Sequence, residues 1–145
     1  MSKKLYFCII GLCLFFLTGC GKNSLNCSIN RDYGDDLKIY QELKIKFSNN
    51  HVSKLNLSMN ASLDGEYVNN KSSLIESVEN EFSRIPEKNF VKYSSKDTSE
   101  GFNFNVKINY NKLSDDSKKL VSVINYGSSY DSVKLDLEES GYTCK

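Results

Sequence analysis

The stretch that decides the fold runs from Leu37 to Leu63 and reads LKIYQELKIKFSNNHVSKLNLSMNASL. In its first half, Leu37, Ile39, Leu43, Ile45 and Phe47 share one side of a period-two pattern that only Gln41 interrupts. Lys38, Tyr40, Glu42, Lys44 and Lys46 share the other side. A two-residue period is that of an extended strand, whose successive side chains point to opposite faces. Ser48-Asn49-Asn50-His51 then reads as a tight turn, because asparagine tolerates the positive φ that hairpin turns need. Leu55, Leu57, Met59, Ala61 and Leu63 resume the alternation against Lys54, Asn56, Ser58, Asn60 and Ser62. Together these runs predict a long antiparallel hairpin, apolar on one face and polar on the other. Val52 is out of phase with its strand, which points to a bulge or to a place in the turn.

Beyond the hairpin the period changes. Asp64-Gly65 ends it, and Tyr67, Leu74, Ile75, Val78, Phe82 and Ile85 follow at helical spacing, with Ser73-x-x-Glu76 as a capping box if the helix starts late. Pro86, the only proline, closes this helix. Strand signals return at Val91-Lys92-Tyr93. After a turn at Ser99-Glu100-Gly101, Phe102, Phe104, Val106, Ile108 and Tyr110 alternate with Asn103, Asn105, Lys107 and Asn109. Ser114 before Asp115 and Asp116 reads as an N-cap and an acidic first turn. The run through Leu120, Val121, Val123, Ile124 and Tyr126 fits a helix or a short strand equally well. A last helix is expected over about Ser129 to Ser140, with Tyr130, Val133 and Leu137 inward and Gly141 as its terminator. Tyr142-Thr143-Cys144 then returns to the sheet beside a first strand that carries Cys27. The expected order is β-β-β-α-β-β-α-α: an antiparallel sheet of about five strands with helices packed on its apolar face, class α+β.

At the N-terminus, Lys3 and Lys4 precede the uncharged stretch Leu5 to Leu17. A charged region followed by a short apolar one is the pattern of a secretory signal. It is short of the roughly 20 residues that cross a bilayer comfortably. The stretch ends in Leu17, Thr18, Gly19 and Cys20, which resemble the lipobox of bacterial lipoproteins. That resemblance implies diacylglyceryl transfer to the Cys20 thiol and cleavage before it. Residues 1–19 are then a lipoprotein-type signal peptide, 20–26 a lipidated tether and 27–145 a single domain. The element order, the lipobox and cysteines near both ends of the domain resemble the small YehR-like lipoproteins and similar uncharacterised lipoproteins of low-GC bacteria. The ending Ser129-Tyr130 with Gly141-Tyr142-Thr143-Cys144-Lys145 is part of that resemblance, which brings no activity with it.

Processing changes the cysteine count. Cys8 and Cys13 leave with the signal and Cys20 is spent on lipid, so Cys27 and Cys144 remain. An exported chain permits a disulfide, and this pair is expected to form one. The alternatives are two buried free thiols or a metal or redox role, although the spacing lacks the closeness of a redox C-x-x-C motif.

Composition narrows the function classes. Hydrophobic residues make up 39% and charged residues 26%, an ordinary globular balance. The chain has 19 Lys and Arg against 18 Asp and Glu, so removing Lys3 and Lys4 leaves 17 against 18, a formal −1. Nothing there points to nucleic acid as a partner. His51 is the only histidine, so no zinc set of Cys and His can be assembled, and no metal site is expected. Asp35-Asp36 and Asp115-Asp116 lack the spaced oxygen ligands of a calcium loop and read as a turn and a helix start. No nucleophile elbow and no phosphate-binding glycine loop occur. Glu66, Glu76, Glu79 and Glu81 read as the polar face of the helix that carries them.

The candidate binding surface is the polar sheet face, where Tyr40, Asn56, Asn60, Asn103, Asn105 and Asn109 are expected with several lysines. Asparagines beside an aromatic ring can hold sugars or peptide backbones. The expectation is a lipid-anchored protein on the extracytoplasmic face of the cell membrane, acting as a non-catalytic binding or accessory module toward an envelope protein or a cell-wall ligand. It uses no cofactor beyond the lipid on Cys20. The competing expectation is an envelope-polymer hydrolase whose carboxylates the sequence does not single out.

Overall fold

The computed structural model describes residues 23–145. The lipobox residues Leu17, Thr18, Gly19 and Cys20 lie outside the described residues. The hairpin forms β2 (Leu37–Ser48) and β3 (His51–Leu63), joined by Asn49 and Asn50 at φ of 51° and 60°. Two successive positive φ values give the mirror-image turn whose twist suits a two-residue hairpin. The register slips between Lys46 and Phe47: Phe47 pairs with Val52, Lys46 with Lys54, and Ser53 is left as the extra residue. Val52 and Ser53 are both buried, and the Ser53 hydroxyl donates to the Lys46 carbonyl at 3.0 Å. This bulge is why Val52 reads out of phase.

Around the hairpin stand β1 (Ser24–Asp32), β4 (Val91–Thr98), β5 (Gly101–Asn109) and β6 (Thr143–Cys144). The sheet order is β4-β5-β3-β2-β1-β6, and every pairing is antiparallel. The class is α+β as expected, but the sheet has six strands rather than about five. Two-residue β6 is too short to carry an alternation signal. It is held by pairing Cys27 with Cys144, and by reciprocal backbone bonds between Asn26 and Lys145 at 3.1 and 2.8 Å. The Cys27 and Cys144 sulfurs lie at bonding distance, with Cα atoms 4.1 Å apart. β1 opens at Ser24 with Leu25 fully buried, so the sheet includes the three residues before Cys27.

Four helices follow: α1 (Gly65–Asn69), α2 (Lys71–Ser83), α3 (Asp115–Leu120) and α4 (Tyr130–Glu139). The single helix expected over Tyr67 to Ile85 is therefore broken at Asn70. Its start is also earlier than a Ser73 cap implies, since the Asp64 carboxylate accepts from the Gly65 N–H. Ser114 and Ser129 cap α3 and α4 through their hydroxyls, and Gly141 at φ 92° ends α4. From Val121 to Ser129 the chain is neither helix nor strand. It crosses the helical layer as an irregular segment, with Val121 and Ile124 buried and the Tyr126 carbonyl accepting from the Val52 N–H at 2.9 Å. His51 Nδ1 lies 3.2 Å from the Gly127 carbonyl, which ties the same segment to the hairpin turn. The apolar sheet face and the helices share one core in which Phe82, Val133 and Leu137 meet Leu25, Leu43, Ile45, Phe104 and Val106.

Candidate functional site: the open face of the sheet

With the helices packed on the apolar face, the other face of the sheet remains open. The registers sort its side chains into rows across β4, β5, β3, β2 and β1. One row reads Lys96, Asn103, Asn60, Tyr40 and Asn30. The next reads Ser94, Asn105, Ser58, Glu42 and Ser28, and the third reads Lys92, Lys107, Asn56, Lys44 and Asn26. The last holds Asn109, Lys54, Lys46 and Ser24. On the far side of the Tyr40 row, Thr98, Gly101, Ser62, Lys38 and Asp32 complete the face.

The six sequence-expected residues therefore share a face but not a cluster. Tyr40, Asn60 and Asn103 stand side by side, and Asn105 is one row away. Asn56 is two rows off. Asn109 is three rows off, about 20 Å at two residues per row. Three of the asparagines are already engaged: Asn60 Nδ2 donates to Asn103 Oδ1 at 2.7 Å, and the Ser58 hydroxyl donates to Asn105 Oδ1 at 2.8 Å. These bonds link β3 to β5 across the open face. Each amide offers two donors and an oxygen with two lone pairs, so one bond leaves capacity for a ligand. Asn109 is half-buried among the lysines, and its Oδ1 is buried with no partner among the described residues. Beside Tyr40, which is 42% exposed, Asn30, Arg31, Lys38, Asn60 and Ser62 rim a depression of about 330 Å³.

Charge is divided between the two layers. Seven lysines (38, 44, 46, 54, 92, 96 and 107) occupy the open face against two carboxylates, Asp32 and Glu42. The helices reverse this balance. Glu66, Glu76, Glu79, Glu81, Asp115, Asp116, Asp131, Asp136, Glu138 and Glu139 stand there against Lys71, Lys118, Lys119 and Lys134. A near-neutral chain thus folds into a strongly polarised molecule, which its composition alone hides.

Three carboxylates join elements of the fold. Glu79 accepts from the Ser95 hydroxyl of β4, and Glu81 accepts from Ser122 at 2.8 Å. Asp97 pairs with Lys71. Shifted ionisations gather around α3. Hydrogen bonds from Ser117 and then Ser114 hold the Glu87 carboxyl below the usual carboxylate range. Lys118 lowers Asp115 by hydrogen bonding and by its charge, and Asp115 raises Lys118 in return. Burial pushes the Tyr110 phenol up. No group of three or more His, Cys, Asp or Glu suited to a metal occurs among the described residues.

One feature escaped the period-two reading. Gln41, the interruption in β2, lies on the helical side and lines an apolar cleft of about 340 Å³ with Leu57, Met59, Val78, Phe82 and Phe104. Its Oε1 accepts from the Tyr142 hydroxyl at 2.8 Å, and its Nε2 lies 3.7 Å from Met59 Sδ. A polar residue in an apolar series was the signal; its partner, 101 residues away, was not foreseeable.

No protein family and no curated protein matches this chain. Among solved structures, a protein from Streptococcus pneumoniae TIGR4, determined by NMR, is similar over 88% of this chain and 88% of that one, at a TM-score of 0.53 and 12% identity. That likeness concerns the fold alone. Among the described residues, no helix is long and apolar enough to cross a membrane.

Proposed function

We propose that this chain is an extracytoplasmic lipoprotein of the small YehR-like kind, tethered through Cys20 and acting as a non-catalytic binding module at the cell surface. The observation that carries the binding reading is the one-sided cover of the sheet. Its open face sets Tyr40 beside Asn30 and Asn60 at the rim of a depression, with Asn103 next in the same row. The fitting ligand class is a neutral polar polymer segment, a wall glycan or an extended peptide. The ring supplies a flat apolar contact, and the amides supply paired donors and acceptors. Such recognition needs no titrating group, and the shifted groups lie at α3 instead.

The test is titration of soluble wall fragments into the full lipidated protein in micelles. Tyr40→Ala and Asn60→Ala are each expected to weaken binding about tenfold, the size of a moderate interface hot spot; Tyr40→Ala should leave the unfolding temperature unchanged, while Asn60→Ala also loses the bond to Asn103. Absence of glycan and peptide binding, or unaltered affinity in Tyr40→Ala, overturns the binding reading. Metabolic lipid labelling tests the anchor separately: Cys20→Ala should lose the label and leave the membrane fraction.

A further inference from the structure

The lysines of the open face are not evenly spread. Five of the seven (Lys44, Lys46, Lys54, Lys92 and Lys107) fill the two rows at one end, where no carboxylate stands. All five are exposed. Lys44 reaches back to Glu42 at 3.3 Å, while the other four make no ion pair among the described residues. Lys145, bonded through its backbone to Asn26, stands at the margin of the same rows.

That end is also where the chain comes in. Ser24 belongs to the Lys46–Lys54 row. Four residue steps lead to it from Cys20, a reach of at most about 14 Å when fully extended. A tether this short leaves the lysine rows within reach of the headgroups around the lipid. The acidic helical layer faces the opposite way. A molecule with one basic face and one acidic face turns its basic face to an anionic surface, because attraction on one side and repulsion on the other act together.

We infer that the lysine rows at the anchored end of the sheet dock onto anionic phospholipid headgroups, holding the domain in one orientation on the membrane. This rests on the tethered reading above and adds to it a division of the open face. The lysine end meets the membrane with the sheet tilted about it, and the Tyr40 row, about 13 to 20 Å further along the strands, is lifted clear for a ligand. Polybasic patches act in this way beside lipid anchors, and their attraction fades with added salt.

The test is lysine acetylation footprinting of the mature protein, purified from membranes and reconstituted in vesicles. One set is phosphatidylcholine alone; the other contains about one-third phosphatidylglycerol, enough to set a negative surface potential. Lys46, Lys54, Lys92 and Lys107 should react several-fold more slowly on the anionic vesicles only, with Lys118, Lys119 and Lys134 unchanged. Raised salt should abolish the difference. Equal labelling on both vesicles overturns the inference, as does protection that appears only when a soluble phosphate-rich wall polymer is added. The mass of the N-terminal peptide reports lipidation in the same sample, so a failed anchor is seen independently. In that event, sedimentation of the Cys20→Ser chain with anionic vesicles still decides. It should fall about tenfold or more when the four lysines become glutamine, and an unchanged value overturns the docking.

Discussion

The Tyr142 hydroxyl donates to Gln41 Oε1 at 2.8 Å, joining the last residues of the chain to the one polar position in the inward series of β2. Both side chains are half-buried, so each satisfies a group that the other would leave stranded. Gln41→Leu should cost about 1–2 kcal/mol, because it orphans the phenol as well as removing the bond. Tyr142→Phe keeps the ring beneath Arg31 and should cost about 1 kcal/mol. The double variant should cost clearly less than the sum. Denaturant unfolding of all four proteins measures the coupling, and strict additivity would show that the contact contributes nothing.

The bond between Cys27 and Cys144 spans 117 residues of sequence, so it restrains nearly the whole described chain. On the chain-entropy account it stabilises by about 5 kcal/mol, and typical losses on removal are about 2–5 kcal/mol. Cys27→Ser with Cys144→Ser should therefore unfold at much lower denaturant, with β6 detached. Amide exchange should show Thr143 and Lys145 unprotected in that variant while β2 and β3 keep their protection.

Gly101 opens β5 against the backbone of β3. A Cβ there would collide with the Ala61 carbonyl, a main-chain group that cannot rotate aside. Gly101→Ala should destabilise by about 1–3 kcal/mol through overpacking alone. Thermal unfolding provides the measurement, and a variant as stable as the parent would mean that the β3–β5 register at this end is looser than described.

Glu87 and Asp115 both hold their protons less tightly when folded than their ordinary values of 4.5 and 3.8 imply. For a depressed carboxyl the stabilisation is present above the unfolded value and lost as pH falls through the folded one. The unfolding temperature should thus decline with acid from about pH 5 downward. Glu87→Gln keeps an acceptor for the Ser114 N–H but removes the titration. It should lower stability at neutral pH and flatten part of the acid decline; an unchanged pH profile would exclude Glu87 as a contributor.

Most of the sheet was legible because its strands alternate cleanly. Leu37 to Leu63 and Phe102 to Tyr110 announce both period and face, and Asn49-Asn50 announces the turn. Capping chemistry located the start of α3, since Ser114 before an acidic turn has a local cause. What sequence did not disclose depends on distant partners. The irregular segment after Leu120 takes its shape from Val52 and His51. The return of Thr143 and Cys144 to the sheet beside Cys27 was legible from the cysteine pair, although two residues are too few to count as a strand by alternation. The open polar face was visible as a set of residues, yet its division into a Tyr40 end and a lysine end follows from register, which no single strand carries.

The covalent pairing of the first and last strands also has a mechanical meaning. When the N-terminus is held and the domain is pulled from the ligand side, load enters at Ser24. Only Ser24, Leu25 and Asn26 can peel from β2 before the tension reaches Cys27. From there it passes through the sulfur bridge into Cys144, so β1 cannot unzip further without dragging the opposite end of the polypeptide with it. The strand nearest the proposed anchor would thereby be fastened like a clasp, and the sheet bearing Tyr40 would keep its shape under strain.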